Sequence, residues 1–354
     1  MTLPSPQTDL PRREVLRRIR SARDALGDDV FILVHHYQRD DVIRFADATG
    51  DSLELSRQAA RQERPRYIVF CGVDFMAETA AMLCRPEQTV LIPERAARCP
   101  MAAMADVADA EEAWRRLSEL WQGDLLPVTY QNSDAHLKAF CGRQGGAVCT
   151  SANAQKLFRW ALGQRAHLLF FPDEHLGRNS ALALGIPEQE VAVWDPADPQ
   201  ASAERARGAR VVVWNGYCHV HTRFTVADVR RVRRQIAFVR VVVHPECPAP
   251  VVLAADEAGS TSHIVQAAAR APAGSALAIG TEINLVRRLA RRHRDKTIVP
   301  LARSLCGAMY RISEHHLLAT LESILAGQPQ HVVRVDPEVA SWANRALQRM
   351  LEAM

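Results

Sequence analysis

Three short polar segments of this chain follow apolar runs that read as strands, and each segment carries residues able to move protons or hold a carbonyl group. The residue pairs are His35 with Tyr37, Tyr130 with Asn132, and His244 with Glu246. His and Glu commonly transfer protons near neutral pH, whereas Tyr and Asn orient or polarise carbonyl groups. Function in parallel α/β units concentrates at the carboxyl ends of strands, so we interpret the three pairs as parts of one catalytic site.

A second set of three residues carries hydroxyl groups: Ser52, Ser151 and Thr261. The same number of residues separates His35 from Ser52 and His244 from Thr261. Each hydroxyl falls where a helix is expected to begin, and plain N-capping, worth about 1 kcal/mol, is one interpretation. A helix N-terminus also attracts anions through its free N–H groups and its dipole. We expect both roles, which suits a substrate with several carboxylates or a phosphate.

Three cysteines form the third set, because Cys99, Cys218 and Cys306 each follow the last strand of a repeated unit. Three thiolates around one axis form a metal site, and the absence of an equivalent histidine favours an iron–sulfur cluster or zinc. Three ligands for a four-iron cluster leave one iron open to substrate, as a Lewis acid requires. The remaining cysteines are interpreted as small buried apolar residues: Cys71, Cys84, Cys141, Cys149 and Cys247.

Each set has three members because the chain contains three copies of one repeat. The copies begin at Phe31, Leu125 and Val239. Each repeat reads as helix–strand–helix–strand–helix–strand. Its strands are continuous apolar runs joined by helices, which is typical of parallel sheets covered on both faces. We therefore predict an α/β fold of three three-layer α/β/α units with parallel sheets, related by a pseudo-threefold axis around a central cluster.

The repeats also define the expected domains. The first unit comprises residues 1–98 and 307–354, the second 99–217 with an insertion at about 185–210, and the third 218–306. The two helices expected after Cys306, at 313–326 and 336–353, are assigned to the first unit, so that they pack on the first repeat.

Composition excludes several classes of protein. Of the 354 residues, 48% are hydrophobic and 24% charged, which is typical of a globular protein. No apolar run reaches the roughly 18 residues of a membrane span, and the N-terminus lacks a signal-peptide core. We therefore expect a cytoplasmic protein that neither spans nor binds a membrane. The positive charge is mostly arginine scattered over helices, which predicts a solvated surface and no nucleic-acid partner. Eight cysteines in such a chain indicate metal binding or catalysis and not disulfides.

The motifs closely resemble those of quinolinate synthases over about residues 31–324. They are VHHYQ, ADATGDSLELSR, FCGVDFMAETA, VTYQNS, CTSAN, FPDEHLGRN, GYCHVHTRF, VHPECP, GSTS and IGTEINLVRRL. The resemblance implies a 4Fe–4S cluster held by Cys99, Cys218 and Cys306, with one open iron. It implies condensation of iminosuccinate (iminoaspartate) with dihydroxyacetone phosphate to quinolinate, phosphate and water in de novo NAD biosynthesis. The long interval between Cys99 and Cys218 is similar to the longer-chain subset of that family.

The resemblance also implies roles for the polar sets. Substrate contacts are expected at His35, Ser52, Tyr130, Asn132, Ser151, His244, Glu246 and Thr261. Glu246 and His244 are expected to transfer protons, assisted by Tyr37 or His35. A transient contact with the oxidase that supplies iminosuccinate is a further expectation.

Two alternatives remain at this point. An aconitase-like 4Fe–4S hydro-lyase would use an open iron on a hydroxy-acid but would need no triose phosphate. A non-enzymatic iron–sulfur sensor would use the cluster as a switch, but it would not require polar groups at three strand ends.

Overall fold

A computed structural model describes residues 10–352 of the chain. The outermost residues assigned to the first unit, 1–9 and 353–354, lie outside that range, as does the beginning of the N-terminal segment in which no signal peptide is expected. Among the described residues, no helix combines the length and the apolar character needed to cross a bilayer.

The first repeat forms a four-stranded parallel sheet. Its strands are β1 (Val30–His35), β2 (Ala48–Gly50), β3 (Tyr67–Cys71) and β4 (Thr89–Leu91). Its helices are α1 (Arg12–Leu26), α2 (Asp40–Ile43), α3 (Ser52–Arg61) and α4 (Asp74–Leu83). The strands lie in the order β2-β1-β3-β4. Every residue of β3 is buried, as expected for a strand covered on both faces.

The second repeat forms a five-stranded parallel sheet. Its strands are β5 (Leu125–Tyr130), β6 (Ala147–Cys149), β7 (His167–Phe171), β8 (Val191–Trp194) and β9 (Val211–Trp214). Its helices are α5 (Val107–Leu120), α6 (Ala135–Arg143), α7 (Ala154–Leu162), α8 (Glu174–Ala183) and α9 (Pro199–Ala206). The strand order is β6-β5-β7-β9-β8. The insertion therefore adds β8 at one edge of the sheet, together with α9.

The third repeat returns to four parallel strands. They are β10 (Arg240–Val243), β11 (Glu257–Ala258), β12 (Ala276–Gly280) and β13 (Thr297–Pro300), in the order β11-β10-β12-β13. Its helices are α10 (Val226–Gln235), α11 (Ala249–Ala254), α12 (Thr261–Arg270) and α13 (Ile283–Arg292). Three helices follow: α14 (Gly307–Tyr310), α15 (Glu314–Leu325) and α16 (Pro337–Glu352).

The three sheets share one strand order once the inserted β8 is set aside, which confirms the predicted α/β class with parallel sheets and alternating helices. The sequence did not predict the short edge strands β2, β6 and β11. Each has only two or three residues, too few for a hydrophobic pattern to register. The pseudo-threefold relation between the units stays a prediction.

The chain divides into two compact units. One comprises the chain up to Cys99 together with Cys306–Val335, and the other comprises Pro100–Leu305 together with the segment from Asp336 onward. Within the first unit, α15 packs against α1. Within the second, α16 packs against α6 and β6, and not on the first repeat, where we expected it. The boundaries of the three predicted units stay a prediction.

The close contact between α16 and α6 explains why α16 packs in the second compact unit. The buried side of α16 is formed by Ala343, Ala346, Leu347 and Met350. Gly142 of α6 lies so close to α16 that a Cβ atom would overlap the carbonyl oxygen of Trp342. An amphipathic pattern shows that α16 needs an apolar partner, but it does not say which one.

Replacement of Gly142 by Ala is expected to destabilise the protein by about 1–3 kcal/mol, the usual cost of overpacking a close contact. The added methyl group has only backbone atoms of α16 to displace. The urea midpoint of unfolding should fall. Gly208→Ala is the matched control, because a Cβ there meets nothing within 4 Å. Equal midpoints for Gly142→Ala and the native chain would contradict the close packing of α16 on α6.

Candidate active site

Histidines at two strand ends are held in the same way. His35 ends β1, and the backbone N–H of Tyr37 donates to its Nδ1 (3.1 Å). His244 follows β10, and the backbone N–H of Glu246 donates to its Nδ1 (3.4 Å). Both pairs of side chains are buried, and the rings of His35 and Tyr37 meet edge to face at 4.7 Å. The repeat therefore gives the first and third polar segments one local geometry.

Glu246 lies in a buried cluster with two imidazoles. Its Oε2 is 2.6 Å from Nδ1 of His221 and 3.2 Å from Nδ1 of His244. The two imidazole rings stack with centroids 4.2 Å apart and planes inclined by 14°. All three side chains are about 2% exposed or less. A carboxylate and two imidazoles in such contact are suited to general acid–base chemistry.

The charges in this cluster follow from its surroundings. Burial raises the pKa of Glu246, but His221 and His244 lower it by more, so the pKa lies below its ordinary value and the group is an anion. Burial and the neighbouring His244 lower the pKa of His221 to about 4, so His221 is neutral near pH 7. A carboxylate only accepts, and we therefore assign the shared proton to Nδ1 of His221. Among the described residues, Oε1 of Glu246 has no hydrogen-bond partner although it is buried.

His221 is the member of this cluster that the sequence analysis missed. It lies within the motif GYCHVHTRF, three residues after Cys218. Its Nε2 lies 3.3 Å from Oγ1 of Thr281, which follows β12. The only signal in the sequence was the Cys-x-x-His spacing, since a single histidine on a loop does not reveal which strand end it will reach.

Tyr130 and Asn132 belong to a tightly bonded turn after β5. Ser133 Oγ donates to the carbonyl of Tyr130 (2.8 Å), and the N–H of Gln131 donates to the carbonyl of Cys149 (2.8 Å). The ammonium group of Lys138, fully buried, donates to the carbonyl of Ser133. Asn132 Oδ1 is buried without a hydrogen-bond partner among the described residues. A buried acceptor of this kind calls for a donor from a ligand or water.

The helix N-termini correct one expectation about the hydroxyl set. Asp51, and not Ser52, caps α3 by accepting from the N–H groups of Leu53 and Glu54. Ser260, and not Thr261, caps α12. Ser151 lies in the turn before α7. Capping goes to the residue with extended backbone just before the helix, so Ser52 and Thr261, one position later, occupy the first helical turn.

A cavity of about 410 Å³ opens where α7 and α12 begin. Its lining includes Ser151, Asn153, Lys156, Ser260 and His263. Two helix N-termini and a lysine at one cavity favour an anionic ligand. Nε2 of His263 is 2.5 Å from Oε1 of Glu257, which holds the imidazole at the cavity wall.

The loops that carry Cys99, Cys218 and Cys306 are attached to the sheet units by equivalent hydrogen bonds. The first residue of α4, α8 and α13 donates its N–H to the carbonyl two positions before each cysteine. The bonds are Asp74 to Ala97 (3.1 Å), Glu174 to Gly216 (2.8 Å) and Ile283 to Ser304 (2.8 Å). The backbone just before each of the three cysteines is therefore hydrogen-bonded in the same way.

Carboxylates reinforce two of these attachments. The N–H of Cys99 donates to Oδ1 of Asp74 (3.2 Å), and the backbone of Cys218 is hydrogen-bonded to Asp173. Asp173 also caps α8 through the N–H of Leu176 (2.6 Å). Burial and the nearby Glu246 raise the pKa of Asp173 well above its ordinary value. The loops of Cys99 and Cys218 thus have a second attachment besides the backbone bond from the helix N-terminus.

The other cysteines lack the features of metal ligands. Cys71, Cys141, Cys149 and Cys247 are buried, and burial raises the pKa of each thiol. Cys84 is half-buried, but its thiol donates to the carbonyl of Ala81 (3.4 Å), and burial raises its pKa as well. Cys99, Cys218 and Cys306 are only partly buried.

Within the second compact unit, the structure brings together Cys218, His221 and Glu246, with potential ligand atoms all within 4.8 Å of one another. His244 joins this cluster, while Tyr130, Asn132, Ser151 and Thr261 lie on other strand and helix ends of the same unit. The first compact unit contains His35, Tyr37, Ser52, Cys99 and Cys306.

Comparisons with known proteins identify the family that this chain resembles. The family model of quinolinate synthetase A proteins (NadA) matches residues 17–352. The chain is 45% identical to the quinolinate synthase of Bacillus velezensis over 351 residues, covering 99% of this chain and 96% of that protein. It is 46% identical to the quinolinate synthases of Halalkalibacterium halodurans and Bacillus cereus over 353 residues, with the same coverage.

Proposed function

Since the chain belongs to the quinolinate synthetase A family, we propose that it condenses iminosuccinate with dihydroxyacetone phosphate to quinolinate in de novo NAD biosynthesis. One molecule of each substrate gives quinolinate, phosphate and two waters, so the atoms balance without an electron acceptor. The observation that carries the proposal is the buried anion Glu246, whose Oε1 has no hydrogen-bond partner among the described residues. Such an oxygen is free to take a proton from substrate.

Glu246 acts as the general base of this proposal, and His221 positions it. Nδ1 of His221 lies 2.6 Å from Oε2 of Glu246, while Nε2 lies 3.3 Å from Oγ1 of Thr281. The lowered pKa keeps Glu246 ionised, so the carboxylate is in the form that can accept a proton. His244 shares in proton transfer, and Tyr37 or His35 assists in the isomerisation and dehydration steps.

Tyr130 and Asn132 orient iminosuccinate in this proposal. The Oδ1 atom of Asn132, which has no hydrogen-bond partner among the described residues, can accept a hydrogen bond from the imine N–H of iminosuccinate. Hydrogen bonds from Lys138 and Ser133 fix the turn that carries Tyr130 and Asn132. Ser52, Ser151 and Thr261 bind the carboxylates and the phosphate. Support for this role comes from their places at helix N-termini and, for Ser151, from the cavity that it lines.

Cys99, Cys218 and Cys306 are proposed as the three ligands of a 4Fe–4S cluster. When bound, a cluster with three thiolate ligands supplies an open iron that acts as a Lewis acid. The hydrogen bonds from α4, α8 and α13 place the three loops, and the carboxylates of Asp74 and Asp173 hold two of the cysteine N–H groups.

We place the reaction in the cytoplasm and propose a transient contact with the oxidase that supplies iminosuccinate. The imine hydrolyses readily in water, so direct transfer between the two enzymes protects it.

An anaerobic assay of the iron-reconstituted protein tests the function. Quinolinate is expected only when iminosuccinate and dihydroxyacetone phosphate are both present, with one phosphate released per quinolinate. Dehydration of a hydroxy-acid without the triose phosphate would indicate a hydro-lyase instead. An intact cluster with no product from either substrate mixture would indicate a sensor.

A further inference from the structure

We propose that Cys218, His221 and Glu246 bind a single divalent transition-metal ion, preferably zinc, when the protein carries no iron–sulfur cluster. The thiolate, an imidazole nitrogen and a carboxylate oxygen of these residues lie within 4.8 Å of one another. Zinc takes this combination of ligands in tetrahedral sites, where neighbouring ligand atoms lie about 3.5 Å apart. Closure around the ion therefore requires shifts of only about 1 Å.

The contacts around the three residues match those of zinc ligands. A metal-bound histidine usually donates its other N–H to a neighbouring acceptor. Nε2 of His221 lies 3.3 Å from Oγ1 of Thr281, and Nδ1 is the ring nitrogen on the side of Glu246. The backbone of Cys218 is bonded to Asp173, and Oε1 of Glu246 has no hydrogen-bond partner among the described residues.

The charges of the set also balance. A thiolate and a carboxylate carry two negative charges, and His221 is neutral, so a divalent ion gives a neutral complex. His221 and Glu246 are almost fully buried, and a neutral complex avoids the high cost of an uncompensated charge away from water. On binding, the imidazole proton of His221 moves from Nδ1 to Nε2, where Oγ1 of Thr281 can accept it, and the proton released to solvent is that of the Cys218 thiol.

This site and the proposed cluster exclude each other, because both require the thiolate of Cys218. The two differ in the rest of their ligands. The cluster needs Cys99 and Cys306, whereas the divalent ion needs His221 and Glu246. Free zinc is therefore expected to compete with iron during cluster assembly, and the competition takes place at Cys218.

Titration of the cluster-free, reduced full-length chain with cobalt(II) tests the proposal without using enzymatic activity. One equivalent is expected to give the intense visible bands of tetrahedral cobalt and a thiolate charge-transfer band in the near ultraviolet. Zinc should displace the cobalt. Absence of the thiolate band, or binding only in proportion to added metal without saturation, would overturn the proposal.

Matched variants separate this site from one formed by the three cysteines. Cys218→Ser should remove the thiolate band, and His221→Asn and Glu246→Gln should each weaken cobalt binding by more than about 100-fold, whereas Thr281→Val should weaken it by about 10–100-fold. Cys99→Ser should bind cobalt like the native chain. Circular dichroism checks that each variant is folded. Loss of binding in Cys99→Ser, or unchanged binding in folded His221→Asn, would overturn the proposal.

Discussion

Replacement of Cys99, Cys218 or Cys306 by Ser is expected to abolish quinolinate formation and the brown colour of the reconstituted protein. Two thiolates do not hold a four-iron cluster firmly, and a serine hydroxyl is a poor replacement for a soft thiolate ligand. Iron and sulfide content, visible absorbance and product formation provide the measurements. All three variants should keep the far-ultraviolet circular dichroism of the native chain, because their loops are attached through backbone groups.

Cys84→Ser and Cys141→Ser are the controls. The Cys84 thiol only donates to the carbonyl of Ala81, and a serine hydroxyl can make the same bond. Cys141 is fully buried in α6, so its replacement affects stability but not iron content. Iron retained in a Cys306 variant, or lost in a Cys84 variant, would show that the repeat identified the wrong ligands.

Glu246→Gln is expected to lower turnover by about two to four powers of ten, the usual scale for loss of a general acid–base group. The amide has nearly the same size and can still contact His221, so the fold and the iron content should be preserved. It cannot take up a proton as the carboxylate does. Turnover per iron-loaded protein under anaerobic conditions is the measurement.

Glu112→Gln serves as the matched control for this change. Glu112 is paired with Arg115 and Arg116 on α5, and its side chain is 37% exposed. The turnover of the Glu112→Gln variant should equal that of the native chain. Near-normal turnover in Glu246→Gln would remove Glu246 from the chemistry and leave it as a structural partner of His221.

Much of this fold could be predicted because the repeat supplied three independent copies of one signal. Cys99, Cys218 and Cys306 look like ordinary cysteines when each is considered alone. They stand out only when the three repeats are aligned, because each cysteine then follows the last strand of its repeat. The helix α1 (Arg12–Leu26) has regular apolar spacing over four turns, and a regularity of that length can be recognised in a sequence.

The features that were missed depend on tertiary contacts or on differences of a single residue. Asp51 and Ser260 cap their helices in place of Ser52 and Thr261, and propensity alone does not choose between adjacent cap-forming residues. His221 reaches Glu246 only because the loop after Cys218 folds back toward β10. The predicted packing partner of α16 was wrong for the same reason, because the apolar pattern of a helix shows which face is buried but not which element covers it.

The packing of α16 on α6 has a consequence for the order in which the chain is made. Asn153, just before α7, donates its side-chain N–H to the carbonyl of Met350, and α6 lies against α16 along its length. Domains begin to fold as they leave the ribosome. Because α6 and β6 precede α16 in the chain, the second repeat is synthesised before the helix that covers it. Its apolar surface over α6 and β6 stays uncovered while the whole third repeat is translated. During this interval we expect the exposed apolar surface to make the nascent chain prone to aggregation and a target for chaperones.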